Sequence, residues 1–294
     1  MSIPDDPARK GDERVEDDAG AMPRRPWYRR PRRLVLVAVG ALVAVGVGVF
    51  AYQWATRGAS EVAVSDRIEQ YREAAGSDRP SGFLRPATGV YTYEATGSEE
   101  LSVLGTTQQW GPTMPATVTR DEGCWSLRID YSTNHWGENR YCPDGDQLLG
   151  PGTSGYQAFD FGAALIGEET SFTCDPPTEV IRVAAEPGDT WRASCDGTSE
   201  SGTTSVTSAG TNTFVGIEEL TVDGRSVATL HYREERALSG SQEGEGTTDN
   251  WYAVTDGMLI RSRRTNRVTS PSPVGDVVYR EEGEFTLTSL EPSR

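Results

Sequence analysis

The chain of 294 residues has a formal net charge of -16, 36% hydrophobic residues and a mean hydropathy of -0.52. Residues 1–33 hold nine basic and seven acidic side chains, so the remainder has a net charge of -18. Such an acidic remainder argues against nucleic acid as a partner, because it repels the phosphate backbone.

The N-terminal tail, residues 1–33, mixes charges of both signs with proline and glycine and has almost no apolar residue to bury. This composition predicts a disordered tail. Its last ten residues are strongly basic and contain Arg24, Arg25, Arg29, Arg30, Arg32 and Arg33.

Residues 34–54 form an uncharged apolar run, LVLVAVGALVAVGVGVFAYQW. As a helix rising about 1.5 Å per residue, it would span about 30 Å, the thickness of a bilayer's hydrocarbon core. The arginines before the run predict a cytoplasmic N-terminus and an exported C-terminal part. We therefore predict a single-pass signal-anchor helix in the plasma membrane. The alternative is a cleaved signal peptide, but no convincing cleavage site follows the run.

Small residues recur every four positions in this run, at Gly40, Ala44 and Gly48. Residues four apart lie on one face of a helix, where small side chains let a second helix approach closely. The spacing suggests a homodimer through the membrane helix. The alternative is that glycine and alanine are simply common in this segment.

Residues 55–86 are predicted to form a juxtamembrane helix and a linker. Apolar residues recur at helical spacing within 60–75, with Ser60 or Ser65 as the N-cap. Two prolines and two glycines within 76–86 then break the helix. The extracytoplasmic domain is therefore assigned to residues 87–294.

The periodicity of this domain is two, as in Trp125, Leu127, Ile129 and Tyr131, which alternate with polar neighbours. Asp223-Gly224 and Asp256-Gly257 separate alternating runs, as two-residue type I′ turns do. We predict an all-β domain, an antiparallel curved sheet of half-barrel or barrel-like form. Other predicted strands cover 99–105, 116–120, 157–161, 180–183, 190–195, 203–208, 214–222, 225–235, 250–255, 258–264 and 277–290.

All four cysteines follow the apolar run, which fits an oxidising compartment. A hairpin turning around Thr133 would place Cys124 opposite Cys142 and Arg128 opposite Glu138. We therefore predict the disulfides Cys124–Cys142 and, by default, Cys174–Cys195. A zinc site is the alternative, but the usual ligand spacings are absent.

Recognisable catalytic motifs are missing from the sequence. Its two histidines, His135 and His231, have no nucleophile or ligand motif around them, and we interpret both as structural or solvated. No P-loop, G-x-G-x-x-G or G-x-S-x-G motif is present. We therefore predict no enzymatic activity, no cofactor and no metal.

Aromatic residues in or beside the strands suggest an apolar concavity in the sheet. Ordinary core packing is the alternative, because large aromatics dominate β cores. The candidate groove residues are Tyr91, Tyr93, Trp125, Trp191 and Trp251.

Two hairpin patterns resemble bacterial cell-envelope β half-barrels of the lipoprotein- and glycolipid-carrier class. They are Gly216–Tyr232, with its GIEELTVDG start, and Trp251–Arg261, with WYAVTDGMLIR. Gly89–Tyr93 and Gly188–Trp191 are similar to other parts of that layout. The resemblance implies a sheet that shelters acyl chains.

Three functions follow as hypotheses. The first is a membrane-anchored extracytoplasmic binding module of the cell envelope, non-catalytic, with an apolar or lipid ligand or a partner protein. The second is a structural or regulatory subunit of an envelope membrane complex. The third is a hydrolase that uses some of the many exported carboxylates.

Overall fold

The computed structural model describes residues 58–74, 82–161, 164–202, 204–272 and 275–293. Three predictions lie outside these ranges: the disordered tail, the membrane helix at 34–54 and the dimer face at Gly40, Ala44 and Gly48. Within the described ranges, no helix combines the length and the apolar character needed to cross a membrane.

The described elements are one α-helix, a short 3₁₀ turn and thirteen strands. They are α1 (Val64–Ala74), β1 (Gly89–Leu101), the 3₁₀ turn (Val103–Gly105), β2 (Thr106–Gln109), β3 (Thr113–Asp121), β4 (Cys124–Ser132), β5 (His135–Asp144), β6 (Gln147–Asp160), β7 (Leu165–Arg182), β8 (Thr190–Ser199), β9 (Ser205–Val222), β10 (Arg225–Gly240), β11 (Glu243–Ala253), β12 (Leu259–Ser270) and β13 (Val277–Leu287).

The strands form one antiparallel sheet that closes into a barrel. From β3 to β13 each strand pairs with the next one in the chain. Strand β1 pairs with β3 through Gly89–Glu94 and with β13 through Tyr93–Leu101, so twelve of the described strands form a closed ring. The predicted all-β antiparallel fold is confirmed in its barrel-like form. The sheet is closed, whereas a half-barrel would leave two edge strands unpaired.

Turn chemistry explains several hairpins. Asp223 and Gly224 both have positive φ, 49° and 71°, as a type I′ turn requires. Asp256-Gly257 is different, since only Gly257 has a positive φ and the connection runs from Val254 to Met258. The Asp256 carboxylate instead accepts a hydrogen bond from the Met258 amide, at 3.0 Å.

The segment before the barrel packs against it. Helix α1 lies within the predicted 60–75 range, and its Arg67 forms an ion pair of 2.5 Å with Asp130 of β4, which is 1% exposed. Ser60 does not cap the helix; its amide donates to the Thr133 hydroxyl at 3.0 Å. The Leu84 side chain is fully buried. The folded unit therefore begins before the predicted boundary at residue 87.

The hydrophobic core lies inside the barrel. Side chains from inward positions of most strands meet there, because alternate residues of a strand face the same side. Its largest fully buried members are Tyr93, Trp125, Leu127, Met114, Ile129, Leu148, Ile181, Tyr232, Tyr252 and Ile260.

Both predicted disulfides are present. Cys124 bonds to Cys142 and Cys174 to Cys195. Arg128 also opposes Glu138, as the predicted hairpin register requires. Disulfides fit an oxidising, extracytoplasmic compartment.

The barrel wall has a seam between β7 and β8. These strands pair only through Thr170–Thr173 and Asp196–Ser199. Beyond the Cys174–Cys195 disulfide, β7 contains Pro176 and Pro177, which have no N–H to donate to a neighbouring strand.

Side chains bridge the seam where the backbone ladder is missing. Trp191 and Asn212 both donate to the Glu179 carbonyl, at 2.7 and 2.9 Å. The Tyr232 hydroxyl donates to the Arg182 carbonyl at 2.9 Å. The seam is therefore closed by side-chain hydrogen bonds and one disulfide.

Candidate functional site

The barrel interior above the core contains a cavity of about 300 Å³. Side chains from β4 to β13 line it, so it lies in the lumen of the barrel. Its charged and amide residues are Asn139, Arg140, Glu234, Arg236, Asn250, Arg264 and Asn266. Its aromatic residues are Tyr131, Tyr141, Phe172, Tyr252 and Phe285.

Strand register places the charged residues side by side. Thr248 of β11 lies between Glu234 of β10 and Arg264 of β12. Two residues away on β11, Gly246 lies between Arg236 and Asn266, and a Cβ there would clash with the Asn266 side chain. The glycine therefore leaves room for the longer side chains on either side.

Arg236 is held by its neighbours on one side of the lumen. Its Nη2 donates to Glu234 Oε2 at 3.0 Å, and its Nη1 donates to the Thr211 carbonyl at 2.9 Å. Glu234 Oε1 accepts a hydrogen bond from Asn250 at 3.0 Å. The pair of opposite charges is thus positioned before any ligand arrives.

Arg264 is held in a similar way on another side of the lumen. Its Nη2 lies 2.6 Å from Glu281 Oε1 and forms an ion pair with it, but the angles at this contact are not those of a hydrogen bond. Its Nη1 donates a hydrogen bond to Tyr131 Oη at 3.0 Å. The guanidinium also lies over the rings of Tyr131 and Trp110. Burial disfavours its charge, but the Glu281 carboxylate together with Tyr131, Tyr279 and Glu99 outweighs burial and raises the Arg264 pKa.

Behind this wall lies a buried polar cluster centred on Glu99, whose side chain is 1% exposed. Its Oε1 accepts from Trp110 Nε1 at 2.8 Å and contacts His135 Nδ1. Its Oε2 accepts from Gln108 at 2.6 Å and Gln157 at 2.9 Å. Burial alone would raise the Glu99 pKa, but His135 and these donors lower it to about 2.

Glu99, His135 and Glu281 are the described residues that could together hold a metal ion, since their ligand atoms lie within 4.8 Å of one another. Their partners favour a different role. Four donors already occupy the Glu99 carboxylate, and Arg264 brings a positive charge against Glu281. We therefore interpret the group as a buried ion-pair network that fixes the lumen wall.

Four of the five predicted groove residues lie in the core, and none of the five borders the cavity. Their polar atoms are satisfied by the chain itself. Tyr91 donates to the Ala87 carbonyl, Tyr93 to Leu259, Trp125 to Leu84 and Trp191 to Glu179. These four residues therefore pack in the core, as the alternative interpretation of the aromatic residues expects.

Trp251, the fifth groove residue, faces the other side of the sheet from the lumen residues Asn250 and Tyr252. It stacks on His231, with ring centroids 4.1 Å apart, and donates to Glu218 at 2.9 Å. The His231 ring nitrogens lie 2.8 Å from Glu218 and from Asp249. Burial raises the pKa of Asp249, but hydrogen bonds from Arg233 and His231 outweigh it and lower that pKa.

This outer-wall cluster gives a stability prediction. Replacing His231 with alanine removes the ring stacked on Trp251 and one partner of each carboxylate, so we expect the free energy of unfolding to fall by about 1–2 kcal/mol. Urea unfolding followed by tryptophan fluorescence measures this. Ser239→Ala, at an exposed position of the same strand, should change nothing measurable. Equal values for the two variants would contradict the structural role.

The sequence interpretation missed the lumen residues Glu234, Arg236 and Arg264 and the buried Glu99. A signal for two of them was present, because Glu234 and Arg236 continue the inward alternation of Tyr232. Charged residues at inward positions predict a polar interior. No local pattern marks Glu99, whose partners come from four other strands or connections.

Comparison of the chain with protein-family models and with curated proteins finds no match. Among solved structures, it is similar to the crystal structure of the hypothetical lipoprotein YmcC from Escherichia coli K12. The identity is 14%, the match covers 78% of this chain and 100% of that chain, and the TM-score is 0.32.

Proposed function

We propose that this protein is an extracytoplasmic binding module of a cell envelope that takes a small polar ligand into the barrel lumen without catalysis. The observation that carries the proposal is the lumen cavity of about 300 Å³, a volume at the lower end of ordinary ligand sites. We also propose that residues 34–54 anchor the protein in the membrane.

A polar ligand replaces the acyl chain that the sequence suggested. Core side chains from most strands pack together inside the barrel. The cavity that remains is bordered by Arg236, Glu234, Arg264 and three asparagines as well as by apolar residues. An acyl chain there would remove these polar groups from water without offering a partner to their remaining donor and acceptor sites, at a cost of about 1–3 kcal/mol for each site left unsatisfied.

The cavity is also preorganised for binding. The Arg236–Glu234 and Arg264–Glu281 pairs are each fixed by further hydrogen bonds or ring contacts. A site whose side chains are already ordered loses less entropy when a ligand binds. This arrangement supports a binding role for the lumen.

The proposal is tested by filling the lumen. Thr248→Trp places an indole between Glu234 and Arg264, so we expect it to abolish ligand retention. The matched control is Thr247→Trp. Successive residues of a strand face opposite sides of the sheet, so this tryptophan lies outside the lumen. The full chain, exported into an oxidising compartment and gently extracted, is examined by native mass spectrometry.

The expected result is an added small-molecule mass on the wild-type chain and on Thr247→Trp that is lost from Thr248→Trp. An added mass that survives in Thr248→Trp, or a wild-type chain without any added mass, would count against lumen binding. Near-ultraviolet circular dichroism of both variants checks that the barrel has formed.

A further inference from the structure

The charged side chains around the lumen form ion pairs, so their charges largely neutralise each other. Arg236 Nη2 is 3.0 Å from Glu234, and Arg264 Nη2 is 2.6 Å from Glu281. The third arginine, Arg140, is 46% exposed and lies 3.8 Å from Asp121. An anionic ligand would compete with these carboxylates and would also approach a chain of net charge -16.

The wall of the cavity contains both hydrogen-bond donors and acceptors. Asn139, Asn250 and Asn266 each have a carbonyl oxygen and an NH₂ group with two N–H donors; one donor of Asn250 is used by Glu234 and one of Asn266 by Glu281. Glu234 offers only acceptor sites, while Arg236 offers only donors. A hydroxyl group is donor and acceptor at once, so a ligand with several hydroxyls can satisfy all of these groups without carrying charge.

Other parts of the cavity are lined by aromatic and aliphatic side chains. Phe172, Tyr131 and Phe285 are among the aromatic ones, and Val180 and Leu259 are aliphatic. Apolar rings beside a few placed polar groups are typical of sites for small molecules that have both apolar and polar faces. The C–H face and the hydroxyl rim of a sugar ring provide that combination.

We propose that the lumen binds an uncharged polyhydroxylated ligand about the size of a monosaccharide. This inference rests on the proposed lumen function and specifies its ligand class. A cavity of about 300 Å³ holds about ten water molecules at about 30 Å³ each, which is room for one sugar ring with its hydroxyls.

The test measures binding of defined probes to the full chain by titration calorimetry. The sugar probes are D-glucose, D-mannose, D-galactose and N-acetyl-D-glucosamine, and the comparison probes are inorganic phosphate and laurate. At least one sugar is expected to bind at millimolar concentration. Glu234→Gln removes a charged acceptor and should weaken that binding about tenfold.

Glu235→Gln is the matched control, because Glu235 is the next residue of β10 and is exposed. It should leave the affinity unchanged, and Thr248→Trp should abolish sugar binding. Failure of every sugar probe to bind would overturn the ligand class, as would equal effects of Glu234→Gln and Glu235→Gln.

The same experiment separates the two proposals. Phosphate binding that disappears in Thr248→Trp, without sugar binding, would overturn the polyhydroxylated class and preserve the lumen function. Laurate binding that disappears in Thr248→Trp would overturn both the polyhydroxylated class and the polar ligand of the proposed function. Absence of any probe binding together with the absence of an added mass in native spectra would overturn both.

Discussion

Replacing Glu99 with leucine is expected to lower the free energy of unfolding by about 3–5 kcal/mol, because it removes a buried carboxylate and leaves several hydrogen-bond donors without their acceptor. The substitution strands the donors of Trp110, Gln108 and Gln157, and it leaves His135 without its carboxylate partner. These groups are packed between β1, β2 and their neighbours, where water cannot replace the lost acceptor. Urea unfolding of the full chain measures the change.

The matched control is Glu100→Leu. Glu100 is the next residue of β1, its side chain is 48% exposed, and its Arg280 partner is 3.5 Å away. An exposed pair at this distance contributes about 0–1 kcal/mol. If both substitutions had the same small effect, the Glu99 cluster could not be a major stabilising feature.

The lowered Glu99 pKa also predicts a pH dependence. The pKa is about 2 in the folded protein against an ordinary value of 4.5. A depressed carboxyl pKa contributes stability that is fully present above the unfolded value and is lost as pH falls toward the folded value. The wild type should therefore lose more stability between pH 4.5 and 2 than Glu99→Gln, measured by urea unfolding at each pH. Parallel curves would contradict the assignment.

Removing the Cys174–Cys195 disulfide is expected to have the second large effect. Its sequence separation of 21 gives a loss of about 3 kcal/mol in the chain-entropy model. The bond also lies where the β7–β8 ladder ends and borders the lumen cavity. In the double variant Cys174→Ser with Cys195→Ser, we therefore expect faster amide exchange across residues 170–199 in addition to the lower unfolding free energy.

The second disulfide provides the comparison. Cys124–Cys142 has a similar separation of 18, but it closes a hairpin that is paired along its length. Its double serine variant should lose a similar free energy with little change in exchange at the β7–β8 seam. Identical exchange patterns in the two variants would show that the seam does not depend on its disulfide.

Local sequence patterns predicted much of the fold because they reflect local chemistry. The alternation from Trp125 to Tyr131 and the return through Arg128 opposite Glu138 fixed one hairpin and its disulfide. Asp223-Gly224 fixed another through its positive φ angles. These features depend on residues close together in the chain, so the sequence alone could reveal them.

Strands β6 and β7 were predicted only at 157–161 and 180–183, although they extend over Gln147–Asp160 and Leu165–Arg182. The missed parts are rich in glycine, serine, threonine and glutamate, and they border a polar lumen. Without an apolar face, such a strand has no hydrophobic period to detect. Its position depends on neighbours that pair with both of its edges.

The sequence by itself determined the antiparallel β class, the cysteine pairs and several hairpins, since each depends on short-range alternation and turn residues. Only the tertiary structure decided that β13 meets β1, that four of the five aromatic candidates lie in the core, and that charged residues border the lumen. Glu99 shows why: its partners Gln157 and His135 lie 58 and 36 residues away. Barrel closure creates these contacts, and no local period encodes which distant strands will meet.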